Sequence, residues 1–335
     1  MIKTEFIYQD NNIKYDEIVE SNFPFSIEAN IFEIAQFFKL SCVKINLLFK
    51  DQLDWEGIFF IKKVEDKLHL CSGGRFGFCG FFPVRKIKSI FYYLDAIDQE
   101  LTKNKIDSYS ITGSIFDAYE NIPKKNGWIV SNKTYYITQI PISVSKNGLL
   151  LKNFPSKNGR SNIRKGLEAA KKNGINVLLT SDLAHLKEWY ERCHIVRIKE
   201  LEGLTWEYEF FKRLMTSGTA KLVAAFKNDR RLIGGCFTLL SDKMIELFMM
   251  STPQQHLRCG TNYSIISHIY SYALEKDIIK VNWQASNPPD GGGASYKKKW
   301  NAAPKRFFIF SKNNNSRINN NYFRSHFKDL FIFPY

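Results

Sequence analysis

Residues 220–284 hold three alternating apolar runs, then a long segment with helical spacing, then one more apolar run, and few folds accept that order. Ala220–Phe226, Arg231–Leu240 and Met244–Met250 read as strands. Asn228-Asp229 and Ser241-Asp242 lie between them as turn dipeptides, which makes the three an antiparallel meander. Ser251–Gly260 is a loop, Thr261–Glu275 a helix, and Ile278–Gln284 a further strand. A meander followed by a helix that leads into a strand beside it is a mixed α/β layer arrangement.

The flanking segments extend this unit. Arg160–Asn173 is a helix stopped by Gly174, Ile175–Leu179 a strand, and Ser181-Asp182 caps a helix over His185–Ile198. Another helix covers Trp206–Met215. After the last strand come a loop (Ala285–Ala294), a short helix (Ser295–Asn301) and a strand (Lys305–Ser311). In the first half, Asn22–Leu40 and Lys86–Lys103 have helical spacing, and Cys42–Phe49, Ile106–Thr112 and Tyr135–Ile140 read as strands. Trp55–Lys62 and Lys67–Cys71 form a hairpin turned at Glu65-Asp66, ahead of a glycine-dense loop from Cys71 to Gly80. Pro141, Gly148, Pro155 and Gly159 mark a linker, which predicts domains over 1–150 and 151–312. A tail, 313–335, is expected to pack on the body through Tyr322, Phe323, Phe327 and Phe331.

A chain of 335 residues, 44% hydrophobic, has enough apolar material for two cores. No run approaches the ~18 apolar residues of a membrane span, and the start lacks the layout of a secretion signal. The six cysteines are scattered without a metal-ligand spacing, so free buried thiols in a reducing cytoplasm, and no metal, are expected. The net charge of +15 draws polyanions, but its even spread argues against a nucleic-acid arm, and DNA is not expected as a partner.

Three stretches resemble the GNAT acyltransferase superfamily. Met244–Met250 followed by Gln254-Gln255-His256-Leu257-Arg258-Cys259-Gly260-Thr261-Asn262 occupies the place of its strand and R/Q-x-x-G-x-G/A loop. Gly260 fits, Asn262 replaces the final Gly/Ala, and Leu257 stands where Arg or Gln is expected. Val281-Asn282-Trp283-Gln284-Ala285-Ser286, leading through Gly291-Gly292-Gly293 into Tyr296-Lys297-Lys298-Lys299-Trp300-Asn301, resembles the aromatic-Lys-x-x-aromatic signature of Fem-type peptidyltransferases and their tandem-GNAT relatives. Arg160 to Gly174 resembles the Arg-rich helix that opens the second domain in that group. The resemblance implies a mixed α/β (α+β) chain of two tandem GNAT-like domains, each a mostly antiparallel sheet flanked by helices. The first would be a degenerate copy walling the acceptor cleft. The Asn-Trp-Gln-Ala-Ser segment is most similar to N-acyltransferases acting on dTDP- or UDP-linked amino sugars. That likeness implies acyl-CoA as co-substrate, no permanently bound cofactor, and a role in bacterial surface polysaccharide synthesis.

On this reading the loop before Thr261 holds a pyrophosphate, because a helix start presents unpaired N–H groups and partial positive charge. Gly260 lets the backbone approach, Arg258 adds charge, and Thr261 and Asn262 open the helix; an ordinary strand-to-helix loop is the plainer alternative. Thioester aminolysis needs an unprotonated amine within ~3–3.5 Å of the carbonyl carbon, and donors for the oxyanion. Backbone groups of the splayed strand, at Met249 and Met250, would hold the thioester arm. Glu246 would take the amine proton, unless it faces solvent or pairs with Lys243; His256 and His268 are alternative bases. Tyr296 would protonate the thiolate, or is a packing residue. Lys297 would neutralise a diphosphate or the oxyanion, or is a solvated charge. Arg160 and Arg164, one helical turn apart, would clamp a phosphate or form a basic solvent face. Arg75, Asn282, Trp283 and Ser286 would line the sugar-nucleotide cleft, and Trp300 would anchor the short helix. Two rivals stay open: an aminoacyl-tRNA-dependent Fem-type peptidyltransferase, the one reading with tRNA as partner, and a non-catalytic protein that holds an anionic ligand.

Overall fold

The computed structural model describes residues 2–9, 28–72, 80–114, 117, 126–139, 157–203, 205–228, 230–286 and 291–314. In chain order its elements begin with β1 (Ile2–Gln9), α1 (Glu28–Phe38), β2 (Ser41–Phe49), β3 (Gln52–Val64), β4 (Lys67–Cys71), β5 (Phe81–Pro83), α2 (Leu94–Lys103), β6 (Ser108–Thr112) and β7 (Ile129–Gln139). They continue with α3 (Lys157–Lys172), β8 (Asn176–Thr180), α4 (Leu183–Trp189), α5 (Ile195–Glu200), α6 (Tyr208–Thr216), β9 (Ala220–Phe226), β10 (Leu232–Leu240) and β11 (Met244–Ser251). The last are α7 (Gln254–Leu257), α8 (Thr261–Glu275), β12 (Lys280–Ala285), α9 (Gly292–Lys299) and β13 (Ala303–Asn313).

The chain divides into two compact units that repeat one plan. In the first, β1-β2-β3-β4-β6-β13 form the sheet, with β5 added against β3. In the second the order is β8-β9-β10-β11-β12-β7. Each sheet is antiparallel except for one parallel pair, β4 with β6 and β11 with β12, and each parallel strand is reached through a helix, α2 or α8. This is the expected mixed α/β class, built as two units of mostly antiparallel sheet flanked by helices.

The seam differs from the contiguous halves that the linker suggested. One unit takes in β1, Ile31–Thr134 and the chain from Lys305, and the other is built on Tyr135–Pro304. The reason is strand exchange. Tyr135–Gln139 pairs with β12, and β13 returns to pair with β6, so each sheet's sixth strand comes from outside its own run of elements. Most of the Pro141–Gly159 stretch, the loop with Arg75, and the tail beyond residue 314 lie outside the described residues.

In the first unit, Val43, Ile45 and Leu47 of β2 and Trp55 and Phe59 of β3 pack with Leu94, Ile97 and Leu101 on one face of α2. The expected helix over Lys86–Lys103 is shorter. Its regular part is α2, preceded by a 3-10 turn at Ile90–Tyr93. Lys86 stands at φ +59°, outside the helical region, and the Asp54 carbonyl and carboxylate take the backbone N–H groups of residues 84–88 and hold them in that turn.

In the second unit, α3 and α8 cover one face of the sheet, burying Ile163, Ala170, Ile265, Ile266 and Ile269 against Val223, Ile233, Ile245, Val281 and Trp283. An aromatic layer on α4 and α6 covers the opposite face, where Trp206 stacks on Phe248 with centroids 5.6 Å apart and Phe211 meets Phe237 at 5.2 Å. The expected helix over His185–Ile198 forms as α4 and α5 joined by a π-helical turn, Tyr190–His194. Cys42, Cys71, Cys193 and Cys236 are buried free thiols, and burial pushes Cys42 and Cys193 up to about 12.

Gly260 ends the loop before α8 at φ +81°, a left-handed conformation that favours glycine. A Cβ there would lie 2.2 Å from the Gly166 carbonyl oxygen and 2.7 Å from the Ala170 nitrogen, both backbone atoms of α3. Gly166 in turn accommodates Tyr263, whose ring would stand 2.3 Å from a Cβ at 166. Two glycines thus let α3 cross the start of α8 closely. Gly260→Ala should destabilise the protein by about 3 kcal/mol, through backbone strain and a clash that no rotamer relieves. The check is a lower urea midpoint at unchanged m.

Candidate functional site

The second unit has an opening in its sheet. β11 and β12 pair only over Met244–Glu246 and Lys280–Asn282. Beyond that point β11 stays with β10 as far as Ser251, while β12 stays with β7 as far as Ala285. Both strands carry irregularities that steer them apart. On β11 the register with β10 shifts so that Phe248 is an extra residue; on β12 the register with β7 shifts between Asn282 and Ala285. Gln284, within that second bulge, sits at φ +62°, a costly conformation for a non-glycine residue. Met249 and Met250 are half-buried on the free stretch of β11.

Polar side chains gather where the strands part. Glu246 and Asn282 are register partners on the parallel pair, and both are fully buried. The Gln284 side-chain amide donates to Glu246 Oε1 at 2.6 Å, and the Gln284 backbone N–H donates to Asn282 Oδ1 at 2.9 Å. Asn282 Nδ2 is buried without a hydrogen-bond partner. From α9, Lys297 Nζ donates to the carbonyls of Gln284 (3.0 Å) and Ala285 (2.9 Å) and stands 5.5 Å from the Tyr136 ring centroid. Burial disfavours its charged form and brings its pKa down to about 8. One glutamine therefore joins a buried carboxylate to a half-buried amine: its side chain reaches Glu246, and its carbonyl receives Lys297.

Tyr296 stands elsewhere. It packs with Trp283 and Trp300 on the face that α8 covers, at centroid distances of 6.1 and 6.5 Å, and 5.5 Å from Tyr263. Burial pushes its phenol well above the ordinary tyrosine range. The Thr138 hydroxyl holds this cluster together. It accepts from Trp283 Nε1 (3.0 Å) and from the Tyr270 hydroxyl (2.8 Å), and it donates to the Trp300 carbonyl (3.1 Å).

The other expected site residues are spread over the unit. Arg258 is exposed, Thr261 is buried with its hydroxyl donating to the His256 carbonyl (2.9 Å), and Asn262 Oδ1 accepts from the Thr252 hydroxyl (2.6 Å). The close approach that Gly260 allows is to α3. Arg160 is half-buried; Arg164 is exposed, 3.9 Å from Glu168. Ser286 follows β12 and is half-buried. His256 and His268 are half-buried, and burial lowers both imidazoles. Among the described residues no group of three His, Cys, Asp or Glu side chains could hold a metal ion.

Sequence reasoning passes over three residues. Gln284 has a usable signal, since strand alternation puts it on the face of Asn282. Thr138 has none, because its partners lie far away in the chain. By its spacing His194 is an ordinary helical residue. It lies in the π-helical turn, a feature frequent at functional sites, fully buried and stacked on Trp189 with centroids 4.9 Å apart. Its Nδ1 meets the Ser251 hydroxyl at 2.9 Å, and its Nε2 meets the Thr205 hydroxyl. Thr205 donates to the Trp206 carbonyl at 3.3 Å, so His194 Nε2 is the protonated nitrogen and Nδ1 accepts from Ser251. The neutral ring ties the helix to the end of β11.

Burial lowers His194 to about 4, against 6.5 for a free imidazole. The unfolded chain takes up this proton first as pH falls, so stability is full above about pH 6.5 and declines towards pH 4. The loss should total about 3 kcal/mol, and His194→Gln, which keeps one donor and one acceptor, should remove that share of the slope in urea melts across the range. Thr138→Val should cost about 1–3 kcal/mol by leaving the Trp283 N–H unpaired, read in the same melts.

No family model matches the chain, and no curated protein matches it. Solved structures do. FemX superposes with a TM-score of 0.59 at 13% identity, over 85% of this chain and 91% of that one. A conserved protein of unknown function from Bacteroides thetaiotaomicron VPI-5482 superposes with a TM-score of 0.52 at 10% identity, over 84% of this chain and 88% of that one. At these identities the likeness is one of fold, and the chain has a GNAT/Fem-like fold.

Proposed function

We propose that this chain is an N-acyltransferase that moves an acyl group from acyl-CoA to the amino group of a dTDP- or UDP-linked amino sugar for bacterial surface polysaccharide synthesis. The observation that carries this reading is the opening between β11 and β12, with Glu246 and Lys297 joined through Gln284 at its apex. The free edge of β11 at Met249 and Met250 offers backbone groups to an extended thioester arm. An amine entering at the apex attacks the thioester carbon: the C–N bond forms, the C–S bond breaks, and the sulfur leaves as thiolate. Glu246 receives the amine's proton. Two of the three Lys297 donors are engaged by backbone carbonyls, and the third is available to the developing oxyanion or to a phosphate. Asn282 Nδ2, buried and unpartnered, is a further donor for the acceptor. Arg160, Arg164 and Arg258 supply cations for the phosphates of the two substrates.

One observation favours a second donor, an aminoacyl-tRNA. Gly260, expected to let a pyrophosphate approach the helix start, has the α3 backbone on the side where a Cβ would stand. Thermal-shift titration with CoA, dTDP, UDP and bulk tRNA separates the readings by mass action. Stabilisation by CoA and one pyrimidine diphosphate supports the amino-sugar reading, and stabilisation by tRNA with none by CoA replaces it. Saturable CoA binding without turnover on any amine would leave a binding protein.

Lys297→Ala should lower kcat/KM about 10-fold or more, the loss of one charged contact. The useful form of Lys297 is protonated, and burial favours the neutral one, so kcat/KM should decline above about pH 8 as the proton leaves. Lys297→Arg, charged throughout, should recover part of the activity and lose that alkaline limb. Wild-type kinetics in Lys297→Ala would remove the residue from the site.

A further inference from the structure

The first unit carries a surface that acyl transfer does not use. Val84, Arg85, Lys86, Ile87 and Lys88 are five consecutive exposed residues, followed shortly by Tyr92. Val84 is 37%, Ile87 46% and Tyr92 61% exposed. Three cations lie in this stretch, and residues 84–93 include no Asp or Glu. Asp51, on the adjoining β2–β3 turn, is paired with Lys3, and Arg85 donates to Gln52 on the same turn.

The loop's backbone is committed inward. The Asp54 carbonyl accepts from the N–H groups of Val84 (2.9 Å), Arg85 (3.1 Å) and Lys86 (3.4 Å). Its carboxylate accepts from Ile87 N–H (2.5 Å), Lys88 N–H (2.9 Å) and the Tyr93 hydroxyl (2.7 Å). Trp55 Nε1 donates to the Lys88 carbonyl at 2.7 Å. One buried aspartate fixes five successive N–H groups, and Lys86 is held at φ +59° to allow it. The side chains then project from a rigid base. Lys88 Nζ lies 5.5 Å from the Phe49 centroid and 5.8 Å from that of Tyr92, and Lys50 lies 5.7 Å from Phe49, so cations and rings share one surface.

Two exposed aliphatic side chains, a tyrosine and three cations, in a stretch that itself holds no acid, suit the boundary of an anionic bilayer. Aliphatic groups enter the acyl region, tyrosine sits at headgroup depth, and ammonium and guanidinium groups meet anionic headgroups. RNA would engage the same cations and the Tyr92 ring, but it has no use for the exposed aliphatic side chains of Val84 and Ile87, which a bilayer would bury. We infer that residues 84–88 with Tyr92 form a peripheral docking surface for anionic lipid membranes. The overall charge of +15 adds long-range attraction. Such docking needs no spanning helix, and no described helix is long and apolar enough to span. The inference stands apart from the transferase reading.

The test is co-sedimentation of the full chain with phosphatidylcholine vesicles, with and without phosphatidylglycerol. Wild type should sediment only with the mixed vesicles. The triple variant Arg85→Ala, Lys86→Ala, Lys88→Ala should bind at least about ten-fold more weakly, and so should the double variant Val84→Ser, Ile87→Ser. In Ile87→Trp the added emission should shift to the blue on mixed vesicles alone, a gain of signal that a misfolded loss-of-function variant cannot imitate. No binding by wild type, equal binding by wild type and both variants, or an unshifted emission from Ile87→Trp overturns the inference. Loss in the triple variant alone also overturns it, and competition by single-stranded RNA would then assign the patch to nucleic acid.

Discussion

The short parallel pairing between Met244–Glu246 and Lys280–Asn282 governs the second unit. A strand pair that continued would leave a closed sheet with every backbone group spent on a neighbour. Stopping it after three residues leaves a stretch of β11 with an open edge, and brings polar side chains to the apex without a channel having to be carved elsewhere. The bulges on β11 and β12 are the means, and Gln284 bears the conformational cost. Strain of this kind persists where the surroundings over-determine it, and here they do: the Glu246 carboxylate, the Asn282 amide oxygen and the Lys297 ammonium all hold the same residue.

Around the apex the two faces of the sheet behave differently. One is a layer of aromatic and aliphatic contacts under α3 and α8, with a single threonine hydroxyl satisfying Trp283 and Tyr270. The other places a carboxylate and an amide in the interior, beneath helices whose buried imidazole, His194, is neutral and doubly hydrogen-bonded. The first face is packed and apolar, and the second carries the buried polar groups. Tyr296 illustrates the division: beside Lys297 in sequence, it belongs to the packing face, because adjacent residues on a helix point in different directions.

Much of this was legible in the sequence where the signal is local. The strand Ala220–Phe226 and the helix Thr261–Glu275 form with the bounds their periodicity indicates, since turn dipeptides and a left-handed glycine fix their ends. The helix over Lys86–Lys103 was overlong because its apolar spacing extends back to Ile87, and nothing nearby reveals that Asp54 holds residues 84–88 in a non-helical turn. Glu246 was ambiguous for a related reason: alternation says which residues share a face, but not that both faces are covered. Gly260 announced a close approach without saying of what, and the partner is α3. The domain seam was misjudged because proline and glycine mark where a chain turns, whereas strand pairing decides which sheet a residue joins.

That strand exchange bears on biosynthesis. The first unit's sheet is completed by β13, which begins at Ala303, so everything through that strand must leave the ribosome before β6 gains its outer neighbour. Until then β6 presents an unpaired edge, the kind of surface that recruits other chains. The second unit faces no such delay, because its borrowed strand, β7, is made before the rest of it. Of the two units, the one made earlier is therefore finished later, and a chain truncated before residue 303 would leave the first unit's sheet open at β6.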